Sequence, residues 1–220
     1  MFLDISKLMI AAIRRTWPLI ILVFAVFTLG VILGIVSVRS LPGQEVAKMS
    51  GYIQSFLEHA KNQDYQASRA LPGAVYDHTA VVIMMYLLGI TVIGVPVILA
   101  YILIRGFVLG FALCFLVSQF HTDGLLLASV MILPQNLIFI HAVLLGAVTS
   151  LWFSLLMVRR FMDSRMRIGT SFVKYTVVMT GVVVVALTAA AVESHVSPWL
   201  TQAAADIINL GSASTGTWIR

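Results

Sequence analysis

Long apolar blocks separated by short polar segments set the pattern of this chain. The first block, 16–38, holds 23 residues without a charge, enough to cross about 30 Å of hydrocarbon at about 1.5 Å per residue. Trp17 marks its start as an interfacial aromatic and Arg39 follows its end. Further apolar blocks predict spans over 79–104, 106–122, 135–158 and 175–192. Ahead of the first span, Phe2, Ile5, Leu8, Met9, Ala12 and Ile13 recur at helical spacing, opposed by Asp4, Lys7, Arg14 and Arg15. That periodicity predicts an amphipathic helix lying on the membrane surface. A signal peptide fits poorly, because the following run is too long and ends without a small-residue cleavage site.

The polar segments divide the rest. Residues 39–78 form the one insert large enough for extramembrane structure, and Val46, Met49, Tyr52, Ile53, Phe56 and Leu57 predict an amphipathic helix over 44–61. His121, Thr122, Asp123 and Gly124 read as a tight turn, and the 34 uncharged residues of 125–158 are too long for one span and too short for two. Pro134 divides them into a short helix over 125–133 and the fourth span, since a proline frees a carbonyl one turn earlier. Ala142, Gly146 and Ser150 put a small residue on one helix face at every fourth position, a seam for a neighbouring helix. Beyond the fifth span, Ser197-Pro198 opens a short amphipathic helix through Leu210, and the Ser/Thr/Gly-rich 211–220 reads as disordered. The expected architecture is all-α: one integral membrane domain over 1–210, with five transmembrane helices, an amphipathic N-terminal helix and a Pro-broken re-entrant helix near the outer face.

Composition fixes the class. Of 220 residues, 60% are hydrophobic and 10% charged, with a mean hydropathy of +1.00, against about 25% charged in soluble domains. The net charge of +5 sits in short segments beside the spans, so it bears on orientation rather than on nucleic acid. With the amino terminus cytoplasmic, nine Lys and Arg fall inside and five outside, and seven of the nine carboxylates fall outside. The 39–78 insert and the carboxyl terminus are then extracytoplasmic, and membrane lipid is the surrounding partner. Cys114, the single cysteine, excludes an intrachain disulfide and reads as a small packing residue.

Chemistry-bearing patterns are sparse. There is no phosphate-binding glycine loop, no HExxH, and the five histidines are scattered. No catalytic or metal residues and no cofactor are expected, and the chain does not read as an enzyme. What remains are candidates for helix packing or partner binding. Gly30 with Gly34 and Gly106 with Gly110 make GxxxG pairs that let backbones approach closely, within the chain or in a homodimer. Arg105 reads as the cytoplasmic stop of the second span. Pro134, Gln135 and Asn136 bring a break and two amides to membrane depth, where they cap the following helix or line a cavity; capping fits better. His141 is an ionisable residue inside a span, a functional candidate by position, although a bond to a carbonyl freed near Pro134 accounts for it as well. Glu193 closes the fifth span.

VIGVPVIL (92–99), IRGFVLGFALCFLV (104–117) and ILPQNLIFI (132–140), with the basic RRFMDSRMR before the last span and Glu193 and Ser197-Pro198 after it, resemble the stage II sporulation protein M family. Broader relatives look to carry Pro-His-Gly and a nearby acid where this chain has Pro134-Gln135-Asn136, so chemistry tied to that pattern is not expected here. The resemblance implies a non-enzymatic scaffold in the mother-cell membrane at the septum. There it would anchor two cell-wall hydrolases, a lytic transglycosylase and an amidase/endopeptidase, as the membrane engulfs the forespore. The alternative is the membrane subunit of an export-type transport system working with a separate ATPase.

Overall fold

Hydrocarbon leaves an uncharged backbone no partners but its own, and the chain answers with helix after helix. The computed structural model describes residues 2–62, 67–129, 133–162 and 169–215. Side chains are described within 16–55, 72–129, 136–161 and 169–194. Six helices follow in order: α1 (Phe2–Arg39), α2 (Gly43–Asn62), α3 (Ala67–Ile90), α4 (Gly94–Leu127), α5 (Leu133–Met162) and α6 (Gly169–Thr215). Five carry segments long and apolar enough to cross a membrane, Thr16–Arg39, Pro72–Ile90, Gly94–Gln119, Asn136–Phe161 and Gly169–Ser194. The protein is all-α and multi-pass. Alternation of the spans puts α2 and the 120–135 connection at one end of the bundle with the part of α6 beyond Ser194, and the 91–93 and 162–168 connections at the other.

The boundaries inside this plan differ from the sequence expectation in four places. At the far end, α6 runs unbroken from Gly169 to Thr215, so that Ser197-Pro198 opens no separate helix and 211–215 are helical rather than disordered. The amphipathic opening is not a separate helix; α1 is continuous from Phe2 to Arg39, with Pro18 inside it. The chain turns between the second and third spans at 91–93, not at Arg105, which stands near the middle of α4. Thr91 makes that turn: its Oγ1 and its amide both donate to the Leu88 carbonyl, at 2.8 and 3.0 Å, and the Gly94 amide donates to the Thr91 carbonyl at 3.3 Å. A Cβ at Gly94 would run into the Leu88 carbonyl, which is why glycine stands there. Pro96 falls in the first turn of α4, where amides have no helical acceptor to lose. The turn has no charged residue, so a reading keyed to charge passes over it. Lastly, the expected tight turn at 121–124 is helical. α4 runs on through it to Leu127, and the Ala128 amide closes its end on the carbonyls of Gly124 and Leu125. The re-entrant helix over 125–133 is not seen as such: 125–127 belong to α4, and 130–132 lie outside the described residues.

α5 is the central helix. Its span is 56% buried, against 17% for that of α1. Lipid tails are as apolar as leucine, so packing and polar bonds rather than apolar burial hold such a bundle together. The Ala142, Gly146 and Ser150 stripe is buried, and at Gly146 it faces Met85 of α3 and Val182 and Met179 of α6. Tyr175 of α6 ties three helices. Its hydroxyl donates to the Tyr86 carbonyl at 2.9 Å and lies 3.2 Å from Ser150 Oγ. Its ring stacks between Tyr86 and Phe153, at 5.2 and 4.4 Å. Ser154 Oγ donates to the Thr91 carbonyl at 2.6 Å and fastens the 91–93 turn to α5.

Candidate functional site

Arg105 is the residue on which the site turns. At about 1.5 Å per residue, its place in the Gly94–Gln119 span is at least about 15 Å from either end, beyond the reach of a snorkelling side chain. A charge at that depth needs a polar environment inside the protein. Four helices supply one: His78 from α3, Arg105 from α4, Asn136 and Phe139 from α5, and Glu193 from α6 line a cavity of about 270 Å³. α4 borders it over two turns, from Arg105 to Ala112. Asn136 and Glu193 lie at the α2 end of their spans, so the cavity belongs to that half of the bundle.

Each polar side chain is held. His78 Nε2 lies 3.2 Å from Glu193 Oε2, its ring stacks on Phe139 at 3.9 Å, and it is only 7% exposed. His78 Nδ1 is buried without a hydrogen-bond partner. The neutral tautomer with its proton on Nε2 donates to Glu193 and leaves only a lone pair unmatched, whereas a proton on Nδ1 would leave a buried donor unmet. The Arg105 guanidinium also rests on Phe139, its Cζ 4.9 Å from the ring centroid. Arg105 and Asp77 both act electrostatically on His78 and on Glu193. Among the described residues Arg105 forms no ion pair within 4.0 Å; the carboxylates that are engaged are Glu45, by Lys48, and Glu193, by His78. Nor, among them, do any three His, Cys, Asp or Glu side chains gather closely enough to hold a metal ion.

The structure thus brings together three sequence candidates, Arg105, Asn136 and Glu193, and adds His78. The last was hidden because the sequence reading ended the polar insert at 78. Starting the second span at Pro72 instead puts an Asp-His pair inside a span, which is itself a site signal. Arg105 does not stop a span, as expected; it faces a cavity. His141 is elsewhere, on an exposed face, with its Nδ1 at the carbonyl of Leu137 in its own helix. The side chains of Pro134 and Gln135 lie outside the described residues, as does Val130, whose carbonyl Pro134 would free.

The four glycines form a different feature. Gly30 and Gly34 of α1 face the backbone of Leu103, Phe107 and Phe111, and Gly106 and Gly110 of α4 face that of Phe27 and Val31. Two GxxxG pairs therefore meet in one intramolecular seam. It fixes the face of α4 opposite to lipid and leaves Arg105 turned to the cavity.

Comparison with known proteins agrees with the motifs rather than with any single relative. No curated protein and no solved structure matches the chain. The family model of stage II sporulation protein M matches residues 23–198, from within the first span to beyond the last, and includes every member of the cavity. The chain belongs to the stage II sporulation protein M family.

Proposed function

We propose that this protein is a membrane scaffold which assembles peptidoglycan-degrading enzymes at the septal membrane during endospore formation. Membership of its family supports a sporulation membrane protein, and that family is in general not one of enzymes. The observation that carries the finer reading is the platform at one end of the bundle. α2 is a 20-residue helix between the first two spans, and α6 is 47 residues long with its span in the first 26. Both stand at the same end, and α2 packs chiefly against α6. Positive residues favour the opposite end as cytoplasmic, so the platform faces the wall. α2 offers partners a mixed surface, with Tyr52 76% exposed and the Lys48–Glu45 pair beside it. The partners implied by family resemblance are a lytic transglycosylase and an amidase/endopeptidase.

The test is photo-cross-linking in sporulating cells. A photoreactive residue at Tyr52 should capture wall hydrolases, identified by mass spectrometry, and one at Phe161 at the other end should not. Capture of neither hydrolase at Tyr52, in protein present at normal abundance, sinks the reading. The transport reading draws on a separate observation, the charged cavity at membrane depth. It requires an ATPase of another chain to co-purify with the intact protein.

A further inference from the structure

We propose that the cavity between α3, α4, α5 and α6 binds a small zwitterion, with its phosphate or carboxylate on Arg105 and its ammonium on Glu193. The inference is independent of the scaffold reading, whose test probes α2 and not the residues that line the cavity.

The argument begins with two opposite charges held apart. Arg105 and Glu193 line the same cavity, yet no guanidinium nitrogen comes within 4.0 Å of a Glu193 oxygen. In a low-dielectric interior a direct bridge would be strong, so the separation needs a cause, and the neighbours supply it. Phe139 takes the guanidinium on its face, and His78 holds the carboxylate at 3.2 Å from the other side. Both groups keep unused capacity. The guanidinium has a planar fork of N–H donors suited to phosphate or carboxylate. A carboxylate offers about four lone-pair positions, of which His78 engages one oxygen. A purely anionic ligand would meet Arg105 and be repelled by Glu193, and a purely cationic one the reverse. With His78 neutral, Arg105 and Glu193 present opposite charges to one cavity, and a ligand bearing both charges is the one that satisfies both.

Size and position narrow the class. About 270 Å³ is below the roughly 300–1,000 Å³ of drug-sized ligand sites and suits a headgroup or an amino acid. Val108, on the cavity's lining, is 51% exposed on a membrane-spanning helix. Part of the cavity's lining is therefore also a surface of the spanning helix, within reach of lipid. That favours the phosphoethanolamine headgroup of a bilayer lipid over a free amino acid, which offers the same two charges from water. Glu193 needs N–H donors, so a primary ammonium fits where a quaternary one does not.

Full-length protein in detergent, analysed by native mass spectrometry and by thermal shift, tests this with phosphatidylethanolamine, phosphatidylcholine, phosphatidylglycerol, soluble phosphoethanolamine and glycine. Phosphatidylethanolamine should be retained about tenfold better than either other lipid. Arg105→Gln should lower that retention about tenfold, and Glu193→Gln should erase the preference over phosphatidylglycerol. Arg105→Lys, which keeps the cation and loses the fork, should fall between wild type and Arg105→Gln. Melting without lipid separates lost binding from lost folding, and if a variant does not fold, the ranking on wild type decides. Retention of the soluble zwitterions together with the lipid upholds the site and moves its source to water. Equal retention of all three lipids, or preference for phosphatidylglycerol, overturns the proposal.

Discussion

Replacing Gly106 with alanine tests the seam between α1 and α4. The new Cβ would fall against the Phe27 carbonyl oxygen, closer than carbon and oxygen approach, and the obstacle is backbone, so no side chain can swing aside. The helices must separate by about 1 Å, and a gap of that order forfeits a quarter to a half of each dispersion contact across it. The same retreat stretches Cα–H···O contacts, each about 0.5–1 kcal/mol. Gly30, Gly34 and Gly110 all face backbone too, so the loss spreads along the seam. We expect Gly106→Ala to cost about 1–3 kcal/mol, the range of overpacked interiors, and Gly106→Leu more. Thermal unfolding in detergent gives the stability. Cys114 gives a local readout, since its Sγ lies 3.8 Å from the Ile35 carbonyl across the same seam and a thiol reagent should reach it faster once the helices part. Wild-type melting and Cys114 reactivity, combined with a changed oligomeric mass, would show that the glycines join two copies and would refute the intramolecular seam.

Tyr175→Phe removes the hydroxyl that serves the Tyr86 carbonyl and the buried Ser150, and should lower stability by about 1–3 kcal/mol in the same melting assay. His141→Leu, on an exposed face with only its own helix for a partner, should stay within about 0.5 kcal/mol of wild type; a larger loss would expose a partner for that face. In a Cys114→Ser background, Ser50→Cys should react with an impermeant maleimide outside intact cells and Phe161→Cys should not. The reverse pattern would invert the orientation.

Five spans were legible in the sequence because each apolar block is long, and the α2 helix because its apolar positions keep helical spacing. The limits of the second and third spans were not legible, for one physical reason. A charge normally ends a span because hydrocarbon rejects it, and Arg105 escapes that rule only because Phe139, Asn136 and Glu193 on later helices build a cavity around it. The true turn at 91–93 is held by Thr91 and Gly94 among apolar residues, so no charge announces it. Moving the boundary also moved His78 from an extramembrane insert into the bundle. Arg105, Asn136 and Glu193 could be singled out one at a time, but their meeting depends on how four helices are rotated, which periodicity in a single chain does not specify. The meeting of Gly30 and Gly34 with Gly106 and Gly110 was equally invisible, although each pair was.

The spread of the cavity over four helices sets the order in which the protein is completed. α4 precedes α5 and α6 in the chain, so Arg105 reaches the membrane before Phe139 and Glu193 can stand beside it. Insertion of an arginine at a helix centre costs about 2.5–3.5 kcal/mol, which the apolar residues of α4 must outweigh alone. A nascent chain halted before α6 consequently holds Arg105 without the wall of the cavity that Glu193 provides. Glu193, near the end of the last span, completes the cavity's lining.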